Sequence, residues 1–202
     1  MICVIDYGMG NLRSVSKALE RVGGSVAVSS RLEDLEKAEK IVLPGVGAFG
    51  DGCRELAQRG LFEPLRQALL QGKPFLGVCL GMQLLFEQSE ESPGADGLGV
   101  LRGRVQRFRD PSLKVPHMGW NQVKVSQPNA PPFRGVKIPE YFYFVHSFYP
   151  VPEEPSVVLG TTEYGGEEFT AFLSKGSLWA SQFHPEKSQE AGLAILKNFV
   201  AS

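Results

Sequence analysis

Gly77-Val78-Cys79-Leu80-Gly81-Met82-Gln83 is the stretch that decides how this chain folds. An apolar run, Pro74 to Val78, enters it, and a run of helical character, Met82 to Gln88, leaves it. Cys79 sits at the joint with a glycine two residues away on each side. The layout predicts a strand, a sharp elbow and a helix. That device presents a nucleophile above the carboxyl end of a parallel sheet; its best-known form carries serine in G-x-S-x-G, and here a thiol has the same spacing. The glycines let other backbones approach the bend, while the nucleophile itself is held strained. A helix starting at the elbow turns its N-terminal amides toward the sulfur and favours thiolate. A lone cysteine at a strand end also reads as a buried structural residue. A base, an orienting acid and oxyanion donors must therefore come from elsewhere in the chain.

The chain before the elbow alternates strand and helix. Ile2 to Asp6 reads as a buried strand, Tyr7 to Asn11 as a turn, and Leu12 to Val22 as a helix with Leu12, Val15, Leu19 and Val22 on one face. Gly8 and Gly10 give a glycine-rich βα turn but no G-x-G-x-x-G, so a plain turn is the default over a dinucleotide site. Ser25 to Val28 and Lys40 to Leu43 read as strands, with a short surface helix over Leu32 to Ala38 between them. Pro44-Gly45-Val46-Gly47-Ala48-Phe49-Gly50 is a second glycine-rich loop, and Leu61 to Leu70 is an amphipathic helix. This order predicts an α/β fold with a central, mostly parallel sheet flanked by helices. Ligand sites on such sheets lie at the carboxyl ends of the strands. Tyr7 to Asn11, Pro44 to Gly47 and Cys79 all fall on that rim.

Beyond Gln88 the texture changes to short β-like pieces separated by proline and glycine. They are Arg104–Phe108, Asn121–Val125, Tyr141–Phe144, Val157–Leu159, Phe169–Leu173 and Leu178–Gln182. They read as an antiparallel extension of the same sheet in the C-terminal half, with a closing helix over Ser188 to Val200. Residues 1–202 are thus expected to form a single domain. A net charge of -1 and 21% charged residues give no electrostatic case for nucleic acid or a membrane surface. No apolar run is long enough to span a bilayer. The three cysteines, Cys3, Cys53 and Cys79, have no metal-like spacing, so no metal and no cofactor are expected. With no basic, apolar leader at the N-terminus, a reducing, cytoplasmic location is expected.

Trp179-Ala180-Ser181-Gln182-Phe183-His184-Pro185-Glu186 is the second informative stretch. His184 ends a strand, Glu186 follows two residues later, and Pro185 stiffens the path between them. A thiol nucleophile needs a base, and the base needs a partner that fixes its tautomer. His184 and Glu186 can fill those roles for Cys79. The other two histidines, His117 and His146, have no carboxylate just after them.

These two stretches together resemble the class I, triad-type glutamine amidotransferases. Pro44-Gly45-Val46-Gly47, Pro116-His117-Met118-Gly119-Trp120-Asn121 and Tyr143-Phe144-Val145-His146-Ser147-Phe148-Tyr149 narrow the resemblance. They point to the branch whose glutaminase subunit serves histidine biosynthesis, and the match runs nearly end to end. The Gly-Gly-Glu-Ser motif of the vitamin B6 glutaminase subunits is absent. The resemblance implies glutaminase activity on L-glutamine, with catalytic Cys79, His184 and Glu186. It implies oxyanion-hole backbone at Leu80, Val46 and Gly47, and substrate binding by Gln83, Glu91, His146, Ser147 and Phe148. It further implies a (β/α)₈-barrel cyclase subunit as partner, met through Asn11, Trp120, Tyr143 and Lys187. Alternatives are the glutaminase subunit of another amidotransferase, a stand-alone γ-glutamyl hydrolase, or an inactive regulatory module on the same fold.

Overall fold

The computed structural model describes all 202 residues. Its first half is built from four strands: β1 (Ile2–Ile5), β2 (Val26–Ser29), β3 (Lys40–Leu43) and β4 (Phe75–Val78). Between them lie α1 (Leu12–Arg21), α2 (Leu32–Lys37), α3 (Phe49–Gln58) and α4 (Phe62–Leu70). After the one-turn α5 (Leu80–Gln83) come β5 (Gln88–Ser89), β6 (Gly103–Arg107), β7 (His117–Val125), β8 (Glu140–His146) and β9 (Phe148–Pro152). The chain ends with β10 (Val158–Tyr164), β11 (Glu167–Lys175), β12 (Leu178–Ser181) and α6 (Gln189–Ala201).

Nine strands form one sheet in the order β2-β1-β3-β4-β12-β11-β10-β7-β8. It is parallel from β2 through β12 and antiparallel beyond. The parallel strands read as unbroken apolar runs because both faces are covered. Cys3, Ile5, Ile41, Leu43 and Phe75 pack on one side, under α2, α3 and α4. Ile2, Val4, Val42, Leu76 and Val78 pack on the other, with residues of α1 and α6. Side chains alternate faces at every residue of a strand, so one short run supplies two cores.

Three expectations change. Arg104–Phe108 does not join the main sheet. Its strand β6 lies in a separate three-stranded sheet, β5-β6-β9. The helix expected over Met82 to Gln88 stops after one turn. The carbonyls of Leu84, Leu85, Phe86 and Glu87 instead accept amides from Gly97 to Leu101, a loop that comes back over them. Finally, α3 follows directly on the glycine-rich loop, where only a turn was expected. Gly50 and Gly52 hide it, since glycine is a poor helix former. Packing rescues it: Phe49, Gly52, Cys53 and Leu56 are buried at helical spacing.

The two elbow glycines have specific causes. A Cβ on Gly81 would lie 1.9 Å from the Leu43 carbonyl oxygen, and one on Gly77 would lie 2.7 Å from the Gly81 oxygen. Gly81→Ala must therefore push β3 and the elbow apart. We expect it to cost about 3 kcal/mol or more, by analogy with overpacked cores. Chemical denaturation measures this directly, and an unchanged midpoint would disprove the steric reading.

Candidate active site

Cys79 occupies the turn between β4 and α5 with φ 55° and ψ -106°. Left-handed backbone at a non-glycine residue is strained and clusters at functional sites. The turn is over-determined by its surroundings. The Cys79 amide donates to the Ser181 carbonyl at 2.7 Å, and the Cys79 carbonyl accepts from Met82 and Gln83 at 3.0 and 3.2 Å. Parallel pairing of β4 with β12 sets Val78 beside Ser181. The segment after β12, which carries His184, is thereby brought alongside the elbow.

His184 is held by its backbone on both sides. Its amide donates to the Tyr143 carbonyl at 2.9 Å, and its carbonyl accepts from the Ser188 hydroxyl at 2.6 Å. The ring Nδ1 lies 2.8 Å from Glu186 Oε1, with both side chains fully buried. With Nδ1–H given to a carboxylate, the other nitrogen is turned to the reacting side. Nε2 is buried and has no hydrogen-bond partner. Burial alone pushes the His184 pKa down. Interaction with Cys79 and then with Glu186 outweighs this and raises it to about 10. Asn11 also gives its amide to Glu186 Oε1, so two donors converge on one carboxylate oxygen.

The remaining substrate candidates meet in one cavity of about 460 Å³. Its wall includes Val46, Gly47, Cys79, Leu80, Gln83 and Glu91, together with His146, Ser147 and Phe148. The volume is in the range of small-molecule sites. Glu91 reaches the cavity from the loop after β5, where its Oε2 accepts the Phe49 amide at 2.8 Å at the start of α3. Gln83 donates to the Phe148 carbonyl at 2.9 Å.

The oxyanion candidates are only partly arranged. The Leu80 amide donates to the Gly45 carbonyl at 3.3 Å, and the Val46 and Gly47 amides enter no backbone hydrogen bond. The Pro44 carbonyl is tethered by the Tyr7 hydroxyl at 2.9 Å. A carbonyl thus occupies the donor expected to meet negative charge.

His117 and His146 are hydrogen-bonded to each other at 3.0 Å and are buried. Burial pushes their pKa values down to about 4 and about 3, respectively, which keeps both neutral near pH 7. Trp120 and Tyr143 pair across β7 and β8, and the Lys187 ammonium lies 5.7 Å from the Tyr143 ring centre. Met118, Trp120 and Tyr141 are 62%, 47% and 53% exposed, an apolar face on the last two strands of the sheet, β7 and β8. Asn11 is half-buried and turned to Glu186. That contact was not readable from sequence, because it joins residues 175 positions apart.

The chain belongs to the class I glutamine amidotransferases: the profile described as "Glutamine amidotransferase class-I" matches residues 3–202. A solved structure titled "Structure of PurLQS from Thermotoga maritima" has the same fold. Its TM-score is 0.75 at 20% identity, covering 99% of this chain and 97% of that one. Within the class, the chain falls among the HisH subunits of imidazole glycerol phosphate synthase. It is 51% identical over 200 residues to "Imidazole glycerol phosphate synthase subunit HisH" of Synechococcus elongatus, covering 98% of this chain and 92% of the relative. The Moorella thermoacetica subunit of the same name is 52% identical over 198 residues, covering 98% and 93%.

Proposed function

We propose that residues 1–202 act as one glutaminase domain in which Cys79, His184 and Glu186 hydrolyse L-glutamine, as the glutaminase subunit of imidazole glycerol phosphate synthase in histidine biosynthesis. The observation that carries this reading is the strained Cys79 beside a fully buried His184–Glu186 pair, at the wall of a cavity. The Cys79 thiolate attacks the side-chain amide carbon of glutamine and forms a tetrahedral oxyanion. His184 gives its Nε2 proton to the departing nitrogen, ammonia leaves, and a thioester remains. Water then attacks the thioester and passes a proton to His184. Glutamate leaves, and the thiolate–imidazolium pair is restored. Glu186 holds the imidazole tautomer throughout. Gln83, Glu91 and the His146–Phe148 backbone grip the amino-acid end of the substrate.

Ammonia released into water at neutral pH becomes ammonium, a poor nucleophile. The reading therefore includes sealed delivery to a (β/α)₈-barrel cyclase subunit, which makes imidazole glycerol phosphate and an aminoimidazole carboxamide ribotide. The docking face assigned to that partner is the one bearing Trp120, Tyr143 and Lys187, with Asn11 at its inner margin. Its exposed aromatic side chains favour this assignment. Tyr143 links the face to chemistry, since its carbonyl holds the His184 amide. No helix is long and apolar enough to cross a membrane, and we place the working complex in the cytoplasm.

The Leu80–Gly45 bond implies that the free chain is a poor hydrolase. Turning the Pro44–Gly47 loop would release Leu80 N–H and bring Val46 or Gly47 N–H to the oxyanion. Losing one such donor costs about 10²–10³ in kcat. Glutamate release by the free chain should lie that far below its rate with the cyclase and the cyclase's ligand. Equal rates would refute the loop as the control point.

A further inference from the structure

We propose that Gln182 is a further active-site residue, whose side-chain amide donates to the Cys79 sulfur and supports its thiolate form. The inference rests on Cys79 being the nucleophile. Gln182 is fully buried and directly follows β12, the strand paired with β4. Its Nε2 lies 3.6 Å from Cys79 Sγ, and its Oε1 accepts from Gln83 Nε2 at 3.1 Å.

Shape alone does not distinguish the two ends of a side-chain amide, but obligate partners do. The Phe148 carbonyl can only accept. The Gln83 atom 2.9 Å from it is therefore nitrogen. The second proton of that amide points to Gln182, so the Gln182 atom there is oxygen. The other end of Gln182, facing the sulfur, must be N–H. The same carbonyl fixes a second branch. It accepts from His146 Nδ1 at 2.9 Å, which leaves His146 Nε2 as an acceptor for His117 Nδ1–H at 3.0 Å. His117 Nε2 then accepts from Asn121 Nδ2 at 3.2 Å, whose other proton goes to the Glu163 carbonyl at 2.8 Å. Both branches start from the Phe148 carbonyl; the first ends on the Cys79 sulfur and the second on the Glu163 carbonyl, without a mismatched link. Both histidines must be neutral for this, and burial holds them so.

Besides His184, which interacts with it, the sulfur faces the Val145 carbonyl at 3.9 Å. A thiol can give its proton to that carbonyl, whereas a thiolate is repelled by it. The Gln182 N–H offsets this repulsion only in the charged form, as a charge-assisted hydrogen bond does. Because α5 is a single turn, too short for a strong terminal dipole, this N–H is what adds to the charge support that the His184 imidazolium gives the sulfur.

The test is the pH dependence of iodoacetamide alkylation at Cys79 in the full chain, read by mass spectrometry of the Cys79 peptide. Cys3 and Cys53 are quiet near neutrality, since burial pushes both up to about 11. Gln182→Met keeps the length and removes the donor. Alkylation at pH 7 should fall about tenfold, the scale of a lost hydrogen bond to a charged group. The acidic limb of glutaminase kcat/KM should move to higher pH with it. Gln182→Glu keeps the shape, should the methionine variant fail to fold, and sets a carboxyl against the sulfur. It should move both curves in the same direction, and further. Folded variants whose alkylation curve is unmoved, or which lose activity with the acidic limb in place, would overturn the proposal. If Cys79→Ala retains glutaminase activity, the nucleophile assignment fails instead, whatever Gln182 does.

Discussion

Replacing Cys79 by alanine is expected to lower glutamate release by at least about 10⁴-fold, the scale on which nucleophile removal disables a triad enzyme. The thiol is the cavity nucleophile that interacts with the His184 base, and it forms the covalent intermediate. Gln83, Glu91 and the wall at Ser147 and Phe148 are untouched by the change, so glutamine should still bind. Alanine removes only the side chain of a residue whose backbone is held by Ser181, Met82 and Gln83, and the fold should survive. Steady-state assays with isothermal titration separate the two effects. In a complex with the cyclase, ammonia supplied from solution should restore product formation. Substantial glutaminase activity in the alanine variant would sink the assignment.

Glu186→Gln is expected to reduce kcat by about 10- to 100-fold with little change in KM. Replacing the orienting acid of a triad costs about 10⁴-fold when the imidazole is left in the wrong tautomer. Here the loss should be smaller. Asn11 and His184 Nδ1–H both point at Oε1, and a glutamine can place its single carbonyl oxygen there. What disappears is the negative charge. The His184 pKa is raised to about 10 by Cys79 and Glu186 acting against burial, so the imidazolium persists through neutral pH and is lost above it. Removing the Glu186 charge removes one of the two raising partners. The alkaline limb of kcat/KM should therefore move to lower pH, toward the ordinary histidine range. A profile from pH 6 to 11 for both proteins decides this. An unmoved alkaline limb would mean that Glu186 acts only as a spacer.

The surroundings of the base tie these effects to the proposed docking face. His184 hangs by its amide from Tyr143, and the Tyr143 amide donates in turn to the Ser188 hydroxyl at 3.0 Å. That hydroxyl also donates to the His184 carbonyl. A partner pressing on Trp120, Tyr143 and Lys187 would thus act on backbone that carries the base. Small displacements matter at such a site, because proton transfer needs heavy atoms within hydrogen-bond reach.

Much of the site was legible because its chemistry is local. The elbow could be read from Gly77 and Gly81, whose missing Cβ atoms are required by the Leu43 and Gly81 carbonyls. The His184–Glu186 pair could be read because Pro185 keeps the two side chains close in sequence and in space. What was missed depends on distant segments. Helix α3 is hidden by its glycines and begins where Glu91 and Ser92, from beyond β5, accept the Phe49 and Gly50 amides. Beyond the short α5, the chain tightens to i→i+3 bonds from Leu85 and Phe86, and the Gly97–Leu101 loop takes the Leu84–Glu87 carbonyls.

The sequence by itself determined the strand–elbow–helix frame, the parallel α/β core and the choice of thiol, imidazole and carboxylate, since each follows from residue type and short spacing. Tertiary structure alone decided which groups surround the sulfur. Pairing of β4 with β12 brings Gln182 to Cys79 across 103 positions, and the turn after β1 brings Asn11 to Glu186 across 175. It also decided that Leu80 N–H is held by Gly45. Hydrogen-bond direction in a buried network is set by what each group faces, and a sequence does not record what faces what.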